Sequence, residues 1–203
     1  MRVILIAAVC LLTGCLARPH LDKQSFVFAP PPPAAAKDAP GSRVLGLRSL
    51  QIAAPFEGRE FVYRTGESSY DRDPYAQFMV SPAEDLLSPI CSWWREAGGF
   101  RGVVEAGSAL KPDTSVEIYV GQLYGDFRSA EPPGAVLAMR FVFFDASKGV
   151  PGEVIWQQEY RRDIPLKARS AEALIEGWNE ALAQILNSAM LDFGRATANA
   201  PKP

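Results

Sequence analysis

The stretch Val136 to Asp145 constrains the fold more than any other. Leu137, Met139, Phe141 and Phe143 alternate on one side, and Val136, Ala138, Val142 and Phe144 on the other. Only Arg140 interrupts the apolar run. A strand that is apolar on both faces needs cover on both, so it predicts a central position in a layered sheet. Two segments have the periodicity of covering helices. Ser81-Pro82-Ala83-Glu84 reads as a capped start, and Leu86, Leu87, Ile90, Cys91, Trp94 and Ala97 then share one face. Pro89 predicts a kink or a lost hydrogen bond there. Trp93 falls at the edge of that face. Gly98-Gly99 ends the helix. Ser170 caps a second helix over Ala171 to Phe193, with the stripe Leu174, Ile175, Trp178, Leu182, Ile185, Leu186, Ala189 and Phe193, and Gly194 reads as its stop. Further strands are predicted at Ser25–Phe28, Val44–Ala53, Phe61–Arg64, Tyr75–Val80, Phe100–Ala106, Val116–Phe127, with a bulge at Gly121, and Val154–Asp163. The fold class is therefore α/β: one domain, with a mixed, mostly antiparallel sheet of five or more strands packed by two main amphipathic helices.

Composition agrees with a packed domain and narrows its partners. The 203 residues are 48% hydrophobic and 22% charged, an ordinary globular mix. Basic residues number 21 and acidic ones 23, for a net charge of −2. That balance gives no electrostatic case for nucleic acid. One histidine and three cysteines argue against a metal cluster or a histidine-based catalytic centre. No cofactor and no metal are expected.

The N-terminus reads as an address. Residues 1–15 are MRVILIAAVCLLTGC. Arg2 precedes an apolar run that is too short to cross a bilayer and suits a secretory signal. Leu12-Thr13-Gly14-Cys15 resembles the bacterial lipobox, in which the signal peptidase cuts between Gly14 and Cys15 and the Cys15 thiol receives acyl chains. Several chains give durable attachment where one is marginal. Leu16 follows the cysteine in place of the aspartate that retains many such proteins in the inner membrane, which points to the outer membrane, facing the periplasm. Cys10 leaves with the signal and Cys15 is acylated, so Cys91 remains as a lone thiol with no disulfide partner. The expected organisation is a cleaved signal over 1–14, a lipidated tether over 15–24, a domain over 25–195 and a disordered tail over 196–203. His20 lies in the tether. Pro30 to Pro33 predicts a stiff polyproline connector, continued as linker through Gly41.

Enzyme chemistry finds little support. The sequence has no glycine-rich phosphate loop and no G-x-S-x-G elbow. Glu84 already has a capping role, and Asp71 and Asp73 sit beside Pro74. The expectation is a non-enzyme.

The segment VLGLRSLQIAAPFEGREFVYRTGESSYDRDPYAQFMVSP, Val44 to Pro82, carries a resemblance. With Cys15, the aromatic strand Phe26-Val27-Phe28, the glycine-containing strand Leu45-Gly46-Leu47 running to Pro55-Phe56, and the Phe61–Arg64 and Tyr70–Phe78 segments, it resembles the auxiliary lipoproteins of ABC-type transporters, the PqiC-like family. Phe78 stands where a tryptophan is common in that family. The resemblance implies a non-catalytic lipoprotein that docks a periplasmic protein with a mammalian-cell-entry (MCE) domain, alongside an ABC permease and ATPase, in transport of lipids or other hydrophobic molecules. It also implies a homo-oligomeric ring. Partner contacts are then expected on surface aromatics, with Tyr70, Tyr75, Phe78 and Met79 as candidates and Gln157, Glu159 and Arg161 as a further set. The alternatives are a lipid-binding carrier lipoprotein, with a real cavity, and a lipoprotein of another envelope assembly.

Overall fold

A computed structural model describes residues 23–34, 41–105, 107–128, 132–149 and 152–198. Gly14, Cys15, His20 and the tail after Ala198 lie outside the described residues. One mixed sheet of eight strands is packed by two helices. In chain order the elements are β1 (Gln24–Phe26), β2 (Val44–Ile52), β3 (Glu60–Arg64), β4 (Tyr70–Phe78), α1 (Pro82–Glu96), β5 (Gly102–Val104), β6 (Thr114–Asp126), β7 (Gly134–Asp145), β8 (Glu153–Pro165) and α2 (Ala171–Ala198).

The most connected strand is β6, not β7. Along one edge β6 pairs antiparallel with β7 from Thr114 to Asp126. Its other edge is shared. β2 runs parallel to it from Thr114 to Val120, and β3 takes Gly125 and Asp126. The register shifts between Val120 and Gln122, so the bulge expected at Gly121 marks the place where the sheet forks. One branch continues β2–β5; the other continues β3–β4–β1. β7 is followed only by β8, which forms the outer strand on that side. The apolar second face of β7 is covered towards both ends, where Phe144 is also buried, and opens between them. Val136 and Ala138 are buried, whereas Arg140 is exposed and Val142 half-buried.

Both helices pack on one face of the sheet. Ser81 Oγ accepts the Glu84 N–H at 3.4 Å and donates to Glu84 Oε2 at 2.9 Å. α1 runs unbroken through Pro89, and Gly98 follows it with φ 67°, a conformation that suits glycine. In α2, Ser170 Oγ accepts the Ala173 N–H at 3.2 Å. This helix does not stop at Gly194. It continues to Ala198 and is about 42 Å long at 1.5 Å per residue. Every residue of its expected stripe is buried, joined by Gly177, Ala181 and Met190. A Cβ on Gly177 would lie 2.6 Å from the Ala135 Cβ, so α2 sits on β7 at a distance that only a glycine permits.

The core between sheet and helices is aromatic. Trp94, Trp178, Phe61, Phe78, Phe141 and Phe143 are its largest fully buried side chains. Each contributes roughly 1.5–3 kcal/mol relative to exposure. The two indoles also satisfy their N–H groups. Trp94 Nε1 donates to the Leu186 carbonyl and Trp178 Nε1 to the Val136 carbonyl, both at 3.2 Å. Cys91 is fully buried, and burial, with Glu105 nearby, pushes its thiol up to about 11. The proline stretch is packed rather than free. Trp93 Nε1 donates to the Pro31 carbonyl at 2.9 Å, Phe28 N–H to Asp85 Oδ2 at 2.8 Å and Ala29 N–H to Asn179 Oδ1 at 2.9 Å. These bonds strap residues 28–31 across α1 and α2.

Candidate functional site

The surface at the β1–β4 end of the sheet follows from one proline. Pro74 has no N–H to give a neighbouring strand, and strands tolerate proline where an edge is free. β1 covers β4 only from Ala76 to Phe78, so the edge at Pro74 is open. The Asp73 carboxylate stabilises the break. Its Oδ1 accepts the N–H groups of Tyr75 at 2.8 Å and Ala76 at 3.0 Å, and its Oδ2 accepts the Tyr63 hydroxyl at 2.5 Å. Burial, then this bond to Asp73, raises the Tyr63 phenol far above its ordinary range. Beyond the break, alternation turns Ala76 and Phe78 inward and Tyr75 and Met79 outward.

The four aromatic-segment candidates are therefore divided. Tyr75 and Met79 are 47% and 56% exposed. Tyr70 is 45% exposed, but its ring packs edge-on against Tyr124 and Phe56, 5.5 and 6.1 Å between centroids. Phe78 is a correction to the expectation of a surface contact. It is 1% exposed, stacked on Phe28 at 5.3 Å and Trp178 at 5.6 Å. Two neighbours escaped the sequence reading. Val27 and Val80 are exposed beside Met79, whose N–H donates to the Phe26 carbonyl at 2.9 Å. The signal for Val27 lay in the strand itself. Phe26 and Phe28 flank it, and with Phe28 buried, alternation turns Val27 out.

The sheet face away from the helices has different chemistry. Arg48 pairs with Glu117 at 3.3 Å, the Arg140 guanidinium lies 5.2 Å from the centre of the Tyr119 ring, and Arg161 bonds Gln122 at 3.1 Å and Asp163 at 3.3 Å. Gln157, Glu159 and Arg161 are exposed as expected. This is a solvated polar face whose arginines meet carboxylates, an amide and an aromatic ring.

Two of the surface grooves border α1. One, of about 310 Å³, lies between β2 and α1 and is lined by Leu47, Leu50, Ala83 and Leu87 with Arg48, Glu84 and Glu105. The other, of about 450 Å³, runs between the proline strap and α1, past Phe28, Pro30, Pro32, Pro89 and Trp93. Several titratable groups owe shifted affinities to their packing partners. Burial and a 2.7 Å bond to Asp192 raise the Tyr160 phenol. Burial pushes the Asp126 carboxyl up, but the Arg128 and Arg64 guanidinium groups outweigh it and hold it low. Among the described residues, no three His, Cys, Asp or Glu side chains are grouped to hold a metal ion.

The arrangement defines a two-layer α/β domain with one helix-covered face, one polar face and an apolar rim at β1–β4. Solved structures share this fold. A protein from Xanthomonas campestris, of the DUF330 family model, superposes with a TM-score of 0.71 at 14% identity, covering 86% of this chain and all of that one. A second structure, described as an uncharacterized protein, gives a TM-score of 0.57 at 13% identity over 81% of this chain and 99% of that one. No family model matches the sequence, and no curated protein does.

Proposed function

We propose that this chain is a periplasm-facing lipoprotein, anchored in the outer membrane by acylated Cys15, that serves as the non-catalytic auxiliary component of an ABC-type transporter for lipids or other hydrophobic molecules. Its partner in this reading is an MCE-domain periplasmic protein with its permease and ATPase. The observation that carries the reading is the fold, which matches the DUF330 (PqiC-like) structure along that protein's whole length. The lipobox-like Leu12-Thr13-Gly14-Cys15 supports it from the sequence. So does the distance between anchor and domain. Nine residue steps separate Cys15 from Gln24, a reach of at most about 30 Å. A domain held this close to a membrane suits a dock. The exposed Tyr75 and Met79 are its contact candidates, with Tyr70 beside them.

The test is a crosslinked pull-down from native membranes, using the full tagged chain with Cys15 intact. Recovery of an MCE-domain protein with its permease and ATPase is the expected result. Recovery of a different envelope machine, or of lipid without a protein partner, would replace this reading.

A further inference from the structure

Val27, Met79 and Val80 form an apolar patch at the β1–β4 end of the sheet. They are 47%, 56% and 41% exposed. Val27 and Met79 follow the paired residues Phe26 and Phe78 of two parallel strands, so they stand side by side, with Val80 next in the chain. Two facts about the chain say what covers them. The first is where the anchor segment enters. It joins the fold at Gln24, and Val27 lies three residues on, about 10 Å away at 3.3 Å per residue. The second is reach. The segment from Cys15 to Gln24 can span about 30 Å, so the patch can lie against the surface in which the Cys15 chains are inserted. Arg59, whose Nε donates to the Phe78 carbonyl at 3.0 Å, adds a cation at the same strand end for lipid phosphate. Asp85, which accepts the Phe28 N–H at 2.8 Å, and Glu84, bonded to Ser81 Oγ, are carboxylates on that side.

We propose that Val27, Met79 and Val80 rest on the lipid surface that carries acylated Cys15, and so fix the orientation of the domain on its membrane. β8 is the far strand of the path β1–β4–β3–β6–β7–β8. At about 4.8 Å per strand it lies about 24 Å from β1. With the patch on the lipid, β8 lies at the far end of the sheet from it. This inference rests on the lipoprotein reading above and adds an orientation to it.

The test uses the full lipidated chain in vesicles of phosphatidylethanolamine and phosphatidylglycerol that contain lipids with a nitroxide near the headgroup. Single variants Val27→Cys, Met79→Cys and Val80→Cys each carry a fluorophore, and Tyr119→Cys and Val154→Cys serve as controls on the polar face and β8. Cys91 is fully buried and does not compete for the label. Several-fold stronger quenching at the three patch sites than at the controls is expected. Equal quenching at all five sites, or none at the patch, overturns the inference. Shielding of the patch in native membranes without quenching in pure vesicles also overturns it, because a protein is then the occupant. The mass of the Cys15 peptide separates the two readings. An unacylated Cys15 removes the lipoprotein reading and this one together, whereas an acylated chain with an unquenched patch removes this one alone.

Discussion

The two outer ends of the sheet are protected in opposite ways. β8 presents thirteen residues whose outer backbone edge has no partner strand among the described residues. An edge of that length is a template for unwanted pairing. Here it carries Glu153, Gln157, Glu159, Arg161 and Asp163, a register shift beside Val154, and a terminal proline. Its aromatics are turned under α2. Tyr160 donates to Asp192 at 2.7 Å, and Trp156 packs against Phe143 and Phe193. β1 is three residues long, yet its end leaves Val27, Met79 and Val80 in the open. β8 leaves Val154 50% exposed among its charges, whereas the other end gathers three bare apolar side chains together, a cluster that suits a covering surface. The contrast is sharpest between Phe78 and Met79, adjacent residues with opposite environments.

The largest expected effect lies on the buried side of that contrast. Phe78→Ala should cost about 3–5 kcal/mol, because it opens a cavity between Phe28, Phe61 and Trp178 that the surrounding rings cannot fill. Denaturant unfolding of the domain measures it. A loss below about 1 kcal/mol would mean that the β1–β4 end is loosely packed and that its inner and outer sides do not differ as described. Gly177→Val comes next. The added branch meets Ala135 and Leu166, and overpacking of this kind costs about 1–3 kcal/mol. It should loosen α2 from β7 and β8 and, through the neighbouring Trp178, disturb Phe28 and Phe78, while the β2–β5 branch keeps its protection, which hydrogen exchange would resolve strand by strand.

Asp85 gives the comparison a dependence on pH. Burial holds its carboxyl above the usual carboxylate range, opposed by the Phe28 N–H that it accepts. The folded chain therefore binds this proton more tightly than the unfolded chain does. Stability from this group is fully present below the unfolded value and is lost as pH rises through the raised folded value. Asp85→Asn keeps an acceptor for Phe28 and removes the titration. The difference in unfolding free energy between variant and parent should grow in the variant's favour across that window and then level off. A difference that stays flat with pH would show that the Phe28 strap leaves Asp85 fully hydrated.

Much of this architecture was legible in the sequence, for local reasons. The α2 stripe is a 3.6-residue pattern, the Ser81 and Ser170 caps are side-chain chemistry, and the Gly121 bulge shows as a slip in alternation. The fork at β6 was not legible, because pairing between strands distant in sequence leaves no local mark. Without it, β7 looked central on its apolar content alone. Gly194 looked like a stop, but the helix passes through it, since glycine in a helix costs only about 1 kcal/mol. The proline run read as a connector because its partner, the Trp93 indole, is 62 residues away. In the surface segment, Tyr70 to Met79 looked like one row of candidates. Pro74 and the Asp73 turn reset the alternation after it, and the parallel pairing with β1 hid Phe78.

Met79→Ser is the smallest expected effect on stability and the most informative about the contrast. The side chain is more than half exposed, and its backbone bond to Phe26 does not depend on its identity. Unfolding free energy should stay within about 0.5 kcal/mol of the parent, as for surface positions generally. The solubility of the isolated domain should rise, because an exposed apolar group is removed. Those two readouts separate a covering partner from a structural role. If the substitution cost as much as a core change, Met79 would belong to the packing around Phe26 and Phe78. The β1–β4 end would then be guarded by its own fold, as β8 is by its charges.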